Sequence, residues 1–374
     1  MNISFLTFES PNLTAQFWKD AVGRYEAKNP NVTVQILTAP STDITGYALQ
    51  LAGTGQLPDA ITSVAPGKFV EAGLLEPYSE DQLKDFTDPM AGAIGGKQYQ
   101  LPVATQVMYV YYNKALFQKA GITAPPTTFK EFLADCKMLQ AASITPIQVA
   151  GSDVDALFAT FQSAIINADV ISKNPNWVSD ANAGKVKFTD PDMVAALQKY
   201  ADIVKDGYIN ADATGLTYAQ GEQGFLDGKA AMWPMGNWFA AAGDKSADPE
   251  NFGFFAMPTN SGPATVPAVT GGGIVISAAS KHIKEAQEFA IAFNTDPDYL
   301  AAGAKTDGLY PAVVGFTPDP TLGKVFLAGF ELSSKSTRAP WFGVQGGDFT
   351  VPADALTVIN AQSKAIFTGQ STAE

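Results

Sequence analysis

The first sixty residues alternate between strand-like and helix-like segments, and this order limits the possible fold more than any other feature of the chain. Ile3–Phe8 is strand-like, and Thr14–Lys28 places its apolar side chains on one face of a helix. The β-branched run Val32–Leu37 follows, then a helix that ends at Gly53 and a short strand that begins at Pro58. This β-α-β-α-β order predicts an α/β fold with a parallel sheet and right-handed crossovers.

The turns after these strands hold the first candidate binding residues. In parallel sheets ligands bind beyond the carboxyl ends of the strands, and this edge includes Glu9, Asp43 and Ser63. Carboxylates at such an edge accept paired hydrogen bonds from neighbouring hydroxyl groups of a ligand. Glu9 and Asp43 also fit a helix cap or a solvated loop acid, so both interpretations stay open.

Composition limits the size of the protein and the nature of its partner. The 374 residues are about twice a typical domain length, which predicts two lobes. The net charge of −13 argues against nucleic acid or anionic lipid as the main partner. One cysteine and one histidine make no intrachain disulfide and no Cys/His zinc site, so we expect no metal. Aromatic residues make up 11% of a chain with few charges, which is consistent with neutral, amphipathic ligands.

We find no sequence motif that points to catalysis or to a cofactor. A histidine triad would need His282, which lies at the polar start of a predicted helix. The glycine run Gly271–Gly273 precedes a strand instead of following one, so it indicates close backbone approach and not a dinucleotide loop. Cys136 lies on the apolar face of the predicted helix Thr127–Ala142, which favours a buried thiol. Acidic residues are plentiful, but nothing marks one pair for glycoside hydrolysis.

Four stretches carry a family resemblance, and they follow one another along nearly the whole chain. They are GTGQLPD with EAGLLEP in Gly53–Pro77, GKQYQLPV with YYNKALF and PPTTF in Gly96–Phe129, FLDGKAAM with GNW in Phe225–Trp238, and TGGG with GLYPA in Thr270–Ala312. Together they resemble the extracellular solute-binding proteins of ATP-binding cassette sugar importers, the maltose-binding-like family. Where that family has tryptophan in the PPTTF motif, this chain has Phe129.

The resemblance implies a two-lobed, periplasmic-binding-protein-like fold of type II, with a ligand cleft between the lobes. Lobe one is expected to comprise residues 1–107 and 269–313, and lobe two residues 108–268 and 314–374. The crossings between them are expected to act as hinges that close on the ligand.

The resemblance also implies a function. We expect a non-enzymatic, monomeric receptor without a cofactor, which binds a mono- or oligosaccharide and delivers it to the membrane permease. Its place would be extracytoplasmic, either in the periplasm or lipid-anchored at the cell surface, with the leader absent from this chain. Two alternatives stay open. One is a carbohydrate-active enzyme with a carboxylate pair in the cleft, and the other is a binding protein for a charged ligand such as a phosphate ester or iron.

Tryptophan and acidic side chains are the binding candidates from the second half of the chain. Trp238 follows a turn-like Gly-Asn pair and is expected to stack on the apolar face of a pyranose. Trp341 lies in a loop-like stretch and is expected to be exposed to the cleft. Asp153 and Asp348, each next to glycine or serine, are candidates for hydrogen bonds to sugar hydroxyls.

Three positions complete the predicted site. Gln106 stands where maltose-binding relatives carry an acidic residue, and it would bind hydroxyls through its neutral amide. Gly272 and Gly273 would bind through their backbone groups. Ser63 stands where the family often has an aromatic residue after the Pro-Asp strand, so the sugar itself is not identified.

Overall fold

The chain divides into two compact units. The structure is a computed structural model, and it describes residues 1–152, 156–260, 265–344, 347 and 350–372. The first unit contains Met1–Gln106, Val269–Leu322 and, among the described residues that follow, Gly347. The second contains Val107–Ala268 and most of the described residues after 322. The boundary after Leu322 lies nine residues beyond the position expected at 313.

Strands and helices alternate through most of the described chain. The strands are β1 (Asn2–Thr7), β2 (Thr33–Thr38), β3 (Ala60–Thr62), β4 (Leu75–Glu76), β5 (Ala104–Asn113), β6 (Thr145–Ile147), β7 (Ala230–Gly236), β8 (Phe252–Phe255), β9 (Val266–Gly271), β10 (Ile274–Ser277), β11 (Tyr310–Pro311) and β12 (Arg338–Pro340). The helices are α1 (Ala15–Lys28), α2 (Ile44–Gly53), α3 (Gly67–Glu71), α4 (Lys114–Lys119), α5 (Phe129–Ala141), α6 (Ala156–Ile166), α7 (Trp177–Asn182), α8 (Pro191–Lys205), α9 (Tyr218–Leu226), α10 (Phe239–Lys245), α11 (Ile283–Thr295), α12 (Pro297–Asp307), α13 (Lys324–Lys335) and α14 (Ala353–Phe367). Short helical turns of other pitch are Glu80–Leu83, Asn167–Ile171 and Pro249–Asn251.

The sheet of the first unit has the strand order β2-β1-β3-β10-β4. Strand β1 pairs in parallel with β2 and β3, as the sequence predicts. Strand β10 pairs antiparallel with β3 and with β4, so the sheet is mixed. The antiparallel strand comes from the far part of the sequence and fills the place between two strands of the first hundred residues.

Local capping signals explain where the predicted helices begin. The Thr14 side chain accepts a hydrogen bond from the Phe17 amide, so Thr14 caps α1, which begins at the next residue. Thr128 and Glu131 form a capping box, because each side chain binds the backbone of the other residue at the start of α5. The predicted positions of both helices are therefore confirmed.

Aromatic rings fill the core of the first unit on one side of its sheet. Phe5 of β1 meets Trp18 of α1 edge to face, with ring centroids 6.0 Å apart. It meets Phe289 and Phe293 of α11 at 5.2 and 5.5 Å. These contacts hold α1 and α11 against the strand whose carboxyl end borders the pocket described below.

In the second unit, β5 is central to the sheet. It pairs antiparallel with β7 and β8, and β7 pairs in parallel with β6. Strand β7 is buried along its whole length, including Trp233. Cys136 of α5 is fully buried, as predicted, and burial raises the pKa of its thiol. Among the described helices, none is long and apolar enough to cross a membrane.

Asp135 on α5 provides a test of stability against pH. Burial, and then the nearby Glu131 carboxylate, raise the pKa of Asp135 to about 6. Between about pH 4 and pH 6, Asp135 therefore carries a proton in the folded protein that it has lost in the unfolded chain. The free energy of unfolding falls as the pH rises through this window. We expect Asp135→Asn to raise the free energy of unfolding at neutral pH by about 1 kcal/mol, since solvent still reaches part of the carboxylate.

Denaturant unfolding at neutral pH and near pH 4 measures this effect. The gain should disappear at the lower pH, where the aspartate is itself neutral. The exposed Asp20 is a matched control on α1, and Asp20→Asn should change stability little at either pH. An equal gain from Asp135→Asn at both pH values would contradict the assignment.

Candidate functional site

A partly open pocket of the first unit lies beyond the carboxyl ends of β1 and β3. Its walls are formed by the ends of these strands, the glycine run before β10, the start of β5 and the end of α12. The lining residues are Phe8, Leu13, Trp18, Thr62, Ser63, Val103, Ala104, Gln106, Gly271, Gly272, Tyr299, Leu300, Gly303, Asp307, Leu309 and Pro311. Three of the residues predicted from the sequence, Ser63, Gln106 and Gly272, therefore line one pocket.

Ser63 has an unusual backbone conformation at the mouth of this pocket. Its φ of 57° lies in the left-handed region, which residues with a side chain rarely adopt. The Ser63 hydroxyl donates to the Gly272 carbonyl at 3.1 Å, and its amide donates to the Gly273 carbonyl at 3.3 Å. The two bonds join the turn after β3 to the glycine run and fix the strained residue in place.

The backbone of the glycine run packs closely against the segment at Leu101. The Gly273 amide donates to the Leu101 carbonyl at 3.1 Å, and a Cβ at Gly273 would overlap that oxygen. Gly272 has a φ of 77°, and its amide donates to the Gln100 side chain at 3.4 Å. Both amides are therefore engaged within the unit, which is consistent with the close backbone approach that the sequence predicts. A role of Gly272 and Gly273 in ligand binding stays a prediction.

Asp307 and Tyr299 are among the lining residues that no sequence pattern marks. Asp307, at the end of α12, accepts a hydrogen bond from the Asn12 side chain at 3.1 Å. Burial, and then the Asp307 carboxylate, raise the pKa of Tyr299, another lining residue. Asn12 and Asp307 are 295 positions apart in the chain, and no local pattern links them.

The indole of Trp18 joins the pocket wall to β1. Its Nε1–H donates to the Phe8 carbonyl at 2.6 Å, and the two rings lie 6.3 Å apart. The sequence predicts Trp18 on the apolar face of a helix, which is correct. Its position in the first turn of the helix that follows β1 is the available signal that it reaches the strand end.

Glu9 and Asp43 lie at the predicted edge but not in the lining of the pocket. Glu9 is exposed, directly after Phe8. Asp43 is exposed and accepts a hydrogen bond from the Gly46 amide at 2.9 Å, so it caps α2. A role of either residue in ligand binding stays a prediction.

The second unit presents a pair of stacked indoles. Trp238, at the start of α10, is partly exposed. Its ring is nearly parallel to that of Trp341, at an interplanar angle of 12° and a centroid distance of 6.1 Å. A Cβ at Gly236 would overlap the Trp238 ring, so the glycine makes room for the indole to fold back. The Asn237 side chain and amide both bind Val107 of β5, at 3.0 and 2.9 Å, and fix the turn before it.

Trp341 is buried, and the expectation that it lies exposed in a loop is wrong. Only 1% of its surface is accessible. The preceding residues form β12, which pairs in parallel with β9, and the Trp341 amide donates to the Ala268 carbonyl at 3.0 Å. The indole Nε1–H donates to the Ser163 hydroxyl at 3.2 Å. Strand pairing thus turns this tryptophan inward, beneath Trp238.

Asn167 fixes the segment that carries Trp341. It is fully buried at the start of the π-helical turn after α6. Its Nδ2 donates to the Pro340 carbonyl at 2.6 Å, and its Oδ1 accepts from the Phe342 amide at 3.0 Å. Both polar atoms of one side chain therefore hold the backbone on either side of the buried tryptophan, which restrains the stacked pair.

Asp153 and Asp348, the remaining predicted residues, lie outside the described part of the chain. Among the residues that the structure describes, no group of three or more histidine, cysteine or acidic side chains is placed to hold a metal ion. The described candidates are thus hydroxyl, amide, carboxylate and aromatic groups, which suit hydrogen bonding and stacking.

The family model for the bacterial extracellular solute-binding proteins matches residues 10–300 of the chain. The chain belongs to this family. The resemblance seen in the four sequence stretches is confirmed, and the family is one of transport receptors, not of enzymes.

Relatives of this solute-binding protein cover most of its length. The multiple sugar-binding protein of Streptococcus mutans is 25% identical over 314 residues, or 80% of this chain and 73% of that protein. The maltotriose-binding protein of Pyrococcus abyssi is 27% identical over 355 residues, or 88% of this chain and 73% of that one. A solved chitin oligosaccharide binding protein matches 100% of this chain and 95% of its own, with a TM-score of 0.84 and 23% identity. This last likeness concerns the fold and confirms the predicted fold class.

Proposed function

We propose that this solute-binding protein is the carbohydrate receptor of an ATP-binding cassette importer. It binds a mono- or oligosaccharide without altering it and delivers it to the membrane permease. We propose further that it acts as a monomer, outside the cytoplasm, and without nucleic acid as a partner. The observation that carries the proposal is the partly exposed indole of Trp238, backed by the buried Trp341.

The geometry of the indole pair suits a pyranose. A sugar ring has C–H groups on one face and hydroxyls around its edge, so it stacks on a flat aromatic surface. Trp341 supports the Trp238 ring nearly in parallel, and a ring held in one orientation loses little entropy when a ligand binds. Two relatives with sugar-binding names support the same ligand class.

The pocket of the first unit, taken by itself, also contains groups that suit a sugar. Thr62, Ser63 and Gln106 are neutral groups that donate and accept hydrogen bonds, as sugar hydroxyls require. Phe8 and Trp18 add apolar surface beside them. A small number of polar groups on a largely apolar wall is typical of sites that bind small neutral molecules.

A thermal-shift screen over mono- and oligosaccharides tests the proposal. Ligand at a hundred times its Kd stabilises the native state by about 2.7 kcal/mol, which corresponds to a shift of about 5 °C or more for domains of this size. We expect at least one neutral saccharide to give such a shift. If no saccharide does so while a phosphate ester does, the protein is a receptor for charged ligands instead.

Product analysis separates the receptor from a carbohydrate-active enzyme. The protein is incubated for hours with each oligosaccharide that stabilises it, and new reducing ends are measured. A receptor should release none above the level of a boiled sample. Steady release in proportion to protein concentration would favour the enzyme.

A further inference from the structure

The charge in the lining of the first unit's pocket is negative. Among the described residues, its lining contains one acidic side chain, Asp307, and no lysine, arginine or histidine. The other polar side chains in the lining are hydroxyls and an amide. Anionic groups on ligands are usually held by arginine, lysine or clustered backbone amides. The lining residues that the structure describes therefore offer no basic side chain for a carboxylate or phosphate.

Asp307 is fixed in the wall of the pocket. The Asn12 side chain donates to its Oδ1 at 3.1 Å, which orients the carboxylate without supplying a positive charge. Tyr299 is buried beside it, and the Asp307 charge acts on that tyrosine to raise its pKa further. The positive charge of Arg24 acts on the same tyrosine in the opposite direction and lowers its pKa.

Two negative charges brought together in such a pocket repel each other. At close range this repulsion is weak in water and several times stronger near a protein surface, where the effective dielectric constant is lower. Neutral hydroxyls have the opposite effect, because a carboxylate accepts strong hydrogen bonds from them. The same side chain can thus favour one class of saccharide and reject another.

We infer that Asp307 makes this pocket selective for neutral saccharides and excludes uronates and other acidic sugars. The inference rests on the proposed function, since it names the class of sugar that the site accepts. Asp307 acts as the discriminating residue, while Thr62, Ser63 and Gln106 bind hydroxyls of the accepted sugar.

Titration calorimetry with matched ligands tests the inference. The probes are gluco-, galacto- and manno-configured trisaccharides and the same trisaccharides oxidised at C6 to uronates. The titrations use about 0.15 M salt, at which charges farther apart than about 8 Å are largely screened, so the net charge of −13 contributes little. The wild-type protein should bind the neutral form of a trisaccharide at least about tenfold more tightly than its uronate.

Three variants assign the discrimination to one side chain. Asp307→Asn keeps an oxygen that can accept from Asn12 and removes the charge, so the preference should shrink to about threefold or less, chiefly through tighter uronate binding. Asp307→Glu keeps the charge and should keep the preference. Asp88→Asn removes an exposed charge of the same unit outside the pocket and should leave the preference unchanged.

Each outcome decides between charge and other causes. Equal binding of neutral and acidic trisaccharides by the wild type overturns the inference and leaves the carbohydrate receptor standing. If both Asp307 variants lose the preference, shape and not charge causes the discrimination, and the inference is overturned. The same holds if Asp307→Asn keeps the preference and melts like the wild type. If no trisaccharide of either kind binds, the inference is overturned, and the thermal-shift screen over mono- and oligosaccharides decides the proposed function.

Discussion

Replacing Trp238 by alanine is expected to weaken saccharide binding by roughly ten- to a hundredfold. Stacking a sugar face on the indole removes tens of Å² of apolar surface from water, and at about 25 cal/mol per Å² this contributes on the order of 1–3 kcal/mol. Each 1.4 kcal/mol corresponds to about a tenfold change in Kd. Because Trp238 is partly exposed, its loss should lower the melting temperature only modestly.

Two further substitutions separate stacking from structure. Trp238→Phe keeps a flat ring and should retain part of the affinity. Trp341→Phe removes the indole nitrogen that donates to Ser163 inside the unit, so it should chiefly lower the melting temperature. Titration calorimetry beside melting curves measures both quantities. If Trp238→Ala leaves the affinity unchanged and lowers the melting temperature, the partly exposed indole is structural and the binding site lies elsewhere.

Replacing Gly273 by alanine is expected to cost about 3 kcal/mol of stability, a large effect for one methyl group. The new Cβ would overlap the Leu101 carbonyl oxygen, the same atom that accepts the Gly273 amide hydrogen bond. Backbone cannot move aside as the end of a side chain can, so strand β10 and the segment at Leu101 have to separate. Ser63, which also binds Gly273, would shift with them.

Gly23→Ala is the matched control for this prediction. Gly23 is exposed on α1, and nothing lies within 4 Å of the place that a Cβ would take. Alanine in a helix is favoured over glycine by about 1 kcal/mol, so the control should be neutral or stabilising. Denaturant unfolding measures both proteins. A free energy of unfolding in Gly273→Ala within about 0.5 kcal/mol of the wild type would show that the glycine run is not tightly packed.

Elements with local signals were predictable from the sequence. The start of α1 at Thr14 and the capping box of Thr128 with Glu131 depend on residues within one turn of each other. The parallel order of β1, β2 and β3 followed from alternation and the handedness of crossovers. Such features need no knowledge of the distant chain.

The missed features depend on distant partners. The loop-like stretch around Trp341 predicts an exposed indole, and only the pairing of Arg338–Pro340 with β9 makes the preceding residues a strand. Asn167 binds the chain 173 and 175 positions away, from the middle of a helical segment that offers no sign of it. Residues set by contacts of this range are visible only once the chain has folded.

The first unit is built mainly from two long stretches of sequence, and their separation has a consequence for synthesis. Strand β10 lies between β3 and β4, yet a ribosome reaches it only after translating all of Val107–Ala268. At about 5–20 residues per second, that interval lasts on the order of 10 s. Until then β3 has an unpaired edge, and open edges pair readily with other chains. The nascent protein therefore passes through a stage at which its sheet is open to aggregation, long before the second stretch arrives to complete it.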